Sequence, residues 1–190
     1  MTKLSLQIFL MLWTYYLTFG CIYIMYQTDL NIIAASASQR EEENAFFRTW
    51  LKSKDESYLD SKVHGINDKV SAAIDCTECA NCCKTLVINV SPDEATSCSR
   101  HLGLSEDEFK EKYLEESLQG ELYINNIPCH FLAGSKCSIY NNRFADCREF
   151  PHLHKPGFRG RLLGTLLHYG KCPIVYNVLE ELKEELGFKY

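Results

Sequence analysis

The sequence has no run of lysine and arginine that could track a phosphate backbone. Its formal net charge of -5 over 190 residues leaves no basic footprint, so no nucleic-acid partner is expected. It also lacks a glycine-rich phosphate loop, a dinucleotide-binding fingerprint and any nucleophile with a base at catalytic spacing. Enzyme activity therefore has no motif behind it. Internal repeats and low-complexity tracts are absent as well. What is present is ordinary globular material, 46% hydrophobic and 24% charged, which suffices for a core and argues against global disorder. The length suits one domain plus an appendage, at roughly 150 residues per domain.

Cysteine is the residue in excess, with ten in the chain. Cys76, Cys79, Cys82 and Cys83 crowd into one short stretch, while Cys129, Cys137, Cys147 and Cys172 are spread downstream. Cys21 and Cys98 have no close cysteine neighbour, and buried free thiols are common, so neither is expected to carry chemistry.

From Leu4 to Thr28 no residue is charged, and that run exceeds the about 20 apolar residues that cross a bilayer. The expectation is an uncleaved membrane anchor over residues 4–28. A signal peptide is the rival, because Ala35-Ser36-Ala37 resembles a small-residue cleavage site, but its apolar core is usually roughly 7–15 residues. If residues 4–28 are translated, the protein is membrane-anchored, with Lys3 favouring export of the rest. If translation starts at Met25, the protein is cytoplasmic. Export conflicts with reduced thiols, which tend to oxidise outside the cytosol.

Residues 39–72 carry Phe46, Phe47, Trp50, Leu51, Tyr58 and Leu59 at three- and four-residue intervals and read as a helical linker. After the cysteine cluster, Leu86–Val90 is β-rich. Ser91-Pro92-Asp93-Glu94 and Ser105-Glu106-Asp107-Glu108 are capping boxes that open two helices, the second running through Phe109, Tyr113 and Leu114. Glu121–Asn125 and Cys137–Tyr140 resemble strands separated by a Gly134-Ser135 turn. Pro173 starts a final helix with Ile174, Val178, Leu182 and Leu186 on one face and Gly187 as its stop. The expected organisation is an apolar segment over 1–38, the linker over 39–72 and a cysteine-cluster domain over 73–190. The expected fold class is α+β, mostly helical, with a short antiparallel element, cysteine-rich loops and a preceding N-terminal apolar helix.

Cys76-x-x-Cys79-x-x-Cys82 has the spacing with which ferredoxin-type loops place three thiolates on a [4Fe–4S] cube while a distant cysteine supplies the fourth. On a regular helix Cys82 would point away from Cys76, Cys79 and Cys83, whereas a loop lets three converge. Zinc competes, since four thiolates hold it in a tetrahedron equally well. The eight clustered and downstream cysteines, Cys76, Cys79, Cys82, Cys83, Cys129, Cys137, Cys147 and Cys172, are the candidate metal ligands. They could fill one site or two, or pair as disulfides. Arg143 and Arg148 flank Cys147 and could offset thiolate charge or simply pair with Asp146 and Glu149. His130, His152 and His154 are further ligand candidates, more often packing residues. Tyr140 and Phe150 are expected to wall the site from water.

Together, Cys76-x-x-Cys79-x-x-Cys82-Cys83, Pro128-Cys129-His130-Phe131-Leu132 and Lys136–Pro151 with Cys137 and Cys147 resemble the cysteine-cluster family named for its CxxCxxCC motif. Ser91-Pro92-Asp93-Glu94 resembles that family's middle region. The resemblance covers roughly Ala73 to Cys172 and implies zinc or iron chelation by these cysteines. A related pattern occurs in flagellin lysine N-methylases, and many members are labelled iron–sulfur oxidoreductases, which would make an oxidoreductase or a methylase-associated role the enzymatic expectation. Phe144 stands where the family usually has proline, and the N-terminal apolar segment lies outside the shared domain.

Overall fold

The computed structural model describes residues 25–190. Most of the apolar run, residues 4–24, therefore lies outside the described residues, as do Cys21 and the expected anchor or signal. Among the described residues no helix is long and apolar enough to cross a membrane. The end of the run, residues 25–28, has no regular secondary structure, and there the Gln27 N–H donates to Asn177 Oδ1 at 2.9 Å and Asn177 Nδ2 donates back to the Gln27 carbonyl at 2.8 Å.

The described chain is mostly helical, with two small antiparallel sheets. Its first core is built by α1 (Leu30–Gln39), α2 (Glu41–Leu51) and α3 (Glu56–Ala73) with two helices near the C-terminus, α9 (Phe158–Leu166) and α10 (Pro173–Glu185). Asp55 opens α3 by accepting the Tyr58 N–H at 2.8 Å. Along α3 the buried positions Leu59, Val63, Ile66 and Val70 recur every three or four residues and so form one stripe. That stripe meets Ile174, Val175, Val178, Leu179 and Leu182 of α10. Each fully buried aliphatic side chain contributes about 1.5–3 kcal/mol, so this seam dominates the stability of the helical part. Asp60 of α3 also caps α9, accepting the Gly157 and Phe158 N–H groups at 2.8 and 2.9 Å. The stretch read as a linker thus shares one core with the C-terminal helices. An amphipathic stripe announces that it will be covered, but not by which part of the chain.

The second core is formed by α6 (Pro92–Leu102), α7 (Glu106–Tyr113) and a three-stranded sheet of β1 (Asn89–Val90), β2 (Leu114–Glu116) and β3 (Leu122–Ile124), in the order β1-β3-β2. Both helices begin with the expected capping boxes, Ser91 with Glu94 and Ser105 with Glu108. Ile88, Val90, Phe109, Ile124, Phe131 and Phe144 are buried together there. Three details differ from the sequence reading. The 121–125 strand pairs with β1 and β2, with Tyr123 opposite Asn89 and Leu114 opposite Ile124, rather than with 137–140. The Gly134-Ser135 turn instead joins β4 (Leu132–Ala133) to β5 (Lys136–Cys137), and Ile139 leads into a 3-10 turn at Tyr140–Asn142. Leu114, expected to end a helix, begins β2. Turn residues specify a reversal locally and leave strand partners to the packing.

Candidate metal centre

The C-x-x-C-x-x-C-C run folds as two short helical turns, α4 (Cys76–Cys79) and α5 (Asn81–Thr85), broken at Ala80. Asp75 starts the first by accepting the Thr77 N–H at 2.8 Å. Ala80 is buried and adopts a left-handed conformation, φ 51°, which costs a residue with a Cβ about 1–2 kcal/mol. The break interrupts the helical phase that would have turned Cys82 away from Cys76 and Cys79. Asn81 then ties α5 to the far end of the chain, its Nδ2 donating to the Lys171 carbonyl at 2.8 Å. This bond holds the run beside Cys172, the buried residue immediately before α10.

Two adjoining cavities result. The smaller is lined by Cys76, Cys79, Cys82 and Cys172, closed by Phe150 and His168. The larger is lined by Cys83, Cys129, Cys137 and Cys147, and Cys76 and Cys82 reach its edge. All eight candidate cysteines therefore face this region. Cys83 is joined to the downstream group by its carbonyl, which accepts the Cys129 N–H at 2.8 Å. Cys137 lies on β5 opposite Leu132. Cys147 sits on α8 (Ala145–Glu149), whose position is set by two carboxylates. Glu94 accepts the Ala145 N–H at 2.5 Å, and Asp146 accepts both the main-chain and side-chain N–H of Asn89 at 3.0 Å. These positioning contacts were not anticipated from the sequence, where Glu94 signalled only a helix cap.

The nine described cysteines are free thiols. Cys82 Sγ and Cys83 Sγ lie 4.0 Å apart, against about 2.05 Å in a disulfide. Burial pushes the Cys147 thiol up to about 12, and the neighbouring Cys129, Cys83 and Cys137 add to the effect. Burial likewise pushes Cys172 up to about 11, with Cys76 and Cys79 adding to it against the main-chain N–H groups of Val175 and Ile174. Cys76 is an exposed residue, yet its thiol loses enough hydration to titrate above its ordinary value. Within the adjacent pair, the bond from Cys83 lowers the Cys82 pKa, and Cys83 as donor is raised. Buried thiols that act on one another resist becoming thiolates together. A cation among them reverses that preference, as metal binding to cysteine displaces protons. The donor set therefore fits a thiophilic metal. Among the described residues no three His, Cys, Asp or Glu side chains converge closely enough to chelate a single ion.

The surrounding groups divide by role. Arg143 lines the larger cavity, stacks on Tyr140 with its guanidinium carbon 3.9 Å from the ring centre, and its charge acts on both Cys76 and Cys137. Arg148 also lines that cavity but is engaged by the Arg143 carbonyl and, at 3.8 Å, by Glu94. Phe150 borders both cavities, and Tyr140 borders the larger while remaining 45% exposed, so it screens the site only in part. His130 lies outside both cavity linings and is bonded to Asn125 at 2.6 Å. His152 approaches Asp146 and Glu149, and His154 borders the larger cavity. The histidine that sequence reasoning missed is His168. It borders the smaller cavity beside Phe150, its Nδ1 is buried without a hydrogen-bond partner, and burial first, then Lys171, depresses its pKa. Nothing in the spacing of His168 marked it, because its link to the site runs through the turn leading into Cys172. Cys98 is a buried thiol of the second core, as expected of a lone cysteine, pushed up to about 11 by burial.

Fold and site together define a cysteine-cluster protein, in which a helical core and a small sheet bring thiols from both halves of the chain to one region. Residues 75–166 match the family model CxxCxxCC, described as "Putative zinc- or iron-chelating domain". No curated protein and no solved structure matches the chain, and the likeness to flagellin lysine N-methylases has no support in these comparisons. The matched stretch contains seven of the candidate ligands but stops before Cys172.

Proposed function

We propose that this protein chelates metal through its clustered cysteines, and that Cys76, Cys79, Cys82 and Cys172 hold an iron–sulfur cluster. The carrying observation is that the C-x-x-C-x-x-C run shares one cavity with a cysteine 90 residues downstream of Cys82. Ferredoxin-type sites use that division of labour, three local thiolates and one remote, and place proline after the last cysteine, as Pro173 stands after Cys172. The spread of the thiols also favours a cluster. A cube interposes its own atoms between the ligands, whereas one zinc ion at about 2.3 Å from each sulfur draws them to roughly 3.8 Å from each other.

When bound, such a cluster supplies one-electron chemistry for electron transfer, sensing or assistance to a partner enzyme. The chain's own residues then act around it. Ile74, Leu86, Phe150 and Pro151 exclude water from the smaller cavity. Arg143 offsets thiolate charge, and the unpartnered Nδ1 of His168 is available to orient beside the sulfurs. The test is spectroscopic. The full chain purified without oxygen should be brown, with sulfur-to-iron charge-transfer absorption that Cys172→Ser abolishes. Colourless protein carrying stoichiometric zinc would reject the cluster. That second reading, a structural zinc domain, has one observation in its favour. The Cys82–Cys83 sulfur separation of 4.0 Å is close to the edge of a zinc tetrahedron.

A further inference from the structure

We infer that Cys83, Cys129, Cys137 and Cys147 form a second, separate metal centre, so that the adjacent cysteines Cys82 and Cys83 serve two different sites. The inference rests on metal chelation as proposed above. Its ligand is an iron–sulfur cluster held by four thiolates, the cluster's own atoms spanning the distance between them.

The first argument is the division of the cavities. Cys79 and Cys172 line only the smaller one, whereas Cys83, Cys129, Cys137 and Cys147 line only the larger. The second, independent argument is the division of the cores. Cys172 belongs to the core of α1–α3, α9 and α10, while Cys129, Cys137 and Cys147 lie against the other, beside Phe131, Ile139 and Phe144. Each core thus brings thiols of its own, and the C-x-x-C-x-x-C-C run lies between them. Adjacent residues on a helical turn point about 100° apart, which lets one dipeptide face two sites.

Local contacts build the second set outward from Cys83. The Cys129 N–H to Cys83 carbonyl bond joins two ligands directly, the β4–β5 hairpin brings Cys137 back beside Cys129, and Glu94 with Asp146 fixes the helix that bears Cys147. Arg143 lines the larger cavity together with Cys76 and Cys137.

The experiment measures iron, acid-labile sulfide and zinc per folded chain, with Mössbauer spectra, in the full-length protein prepared without oxygen. Wild type is compared with Cys79→Ser and Cys137→Ser, and with Cys129→Ala in case Cys137→Ser fails to fold by circular dichroism. The expected result is two centres in wild type, with each variant losing the iron and sulfide of one centre and keeping the other centre's spectrum. Iron and acid-labile sulfide lost together on substitution of the second set identify it as a cluster site, whereas zinc alone in its place overturns the inference. It is overturned if wild type holds a single centre, if second-set variants keep the full metal content, or if a variant in either set removes all metal from a folded chain. One centre lost with Cys79→Ser but untouched by Cys137→Ser would refute the inference and leave the proposed function standing. Metal-free wild type would refute both.

Discussion

Glu94 links the second core to the metal region, and its removal gives a prediction whose size and pH dependence both follow from the contacts. One carboxylate oxygen accepts the Ser91 N–H at 3.1 Å and the Ser91 hydroxyl at 2.8 Å, completing the cap of α6, and the other accepts the Ala145 N–H at 2.5 Å. Hydrogen bonds to a charged partner contribute about 1.5–3 kcal/mol and ordinary ones about 1 kcal/mol, so Glu94→Ala should cost about 2–4 kcal/mol at neutral pH. Arg148, half exposed and 3.8 Å away, adds little. Burial alone would raise the Glu94 pKa, but the Ala145 and Ser91 N–H groups, the Ser91 hydroxyl and Arg148 together hold it below its ordinary value of 4.5. A lowered carboxyl stabilises the fold fully above its unfolded pKa and loses that effect as pH falls through the folded one. The gap between wild type and variant should therefore be whole above about pH 4.5 and shrink below it. Urea denaturation of reduced protein, followed by circular dichroism across this range, reads it. The reasoning is refuted if the two proteins unfold at the same urea concentration at pH 7, or if the gap does not change on acidification.

Other perturbations test the packing that carries the site. A Cβ on Gly170 would lie 2.7 Å from Ala37 Cβ, so Gly170→Ala should destabilise by about 1–3 kcal/mol. In an Ala37→Gly background the penalty should largely vanish, and an undiminished loss there would mean the contact is not its cause. Lys183 is 6% exposed, and its Nζ lies 2.7 Å from Glu43 and 2.8 Å from Glu180, above the rings of Phe47 and Tyr169. Lys183→Met removes the bond to Glu43 and one of the donors to Glu180, which keeps the Tyr169 hydroxyl and Arg40, and should cost roughly 1.5–3 kcal/mol by chemical denaturation, whereas a neutral or stabilising outcome would show the network to be dispensable. Phe109, fully buried in the second core, should cost about 3–5 kcal/mol when truncated to alanine. If core and centre are coupled as described, that variant should also weaken metal retention more at the Cys137 set than at the Cys172 set.

Much of this architecture was legible in short-range signals. Ser91 with Glu94, Ser105 with Glu108, and Pro173 with the stripe ending before Gly187 each specify an element within four residues or by one periodic face. The cysteine run was legible for the same reason, since its spacing is local. Partnership at long range was not. Nothing in residues 121–125 says that they pair with 89–90 and 114–116, and nothing in residues 56–73 says that they are covered by 173–185. The pairing of the local run with Cys172 depends on the left-handed Ala80 and the Asn81–Lys171 bond. The first is a conformation alanine rarely signals, and the second spans 90 residues. His168 became visible only with that turn in place.

The account's central claim is that thiols from both halves of the chain are gathered around metal. Elemental analysis of native full-length protein made without oxygen, paired with a thiol count before and after acid release of metal, tests it most directly. Stoichiometric iron or zinc, with the eight clustered cysteines shielded until the metal leaves, is the predicted result. Protein free of metal whose cysteines are joined pairwise would contradict it.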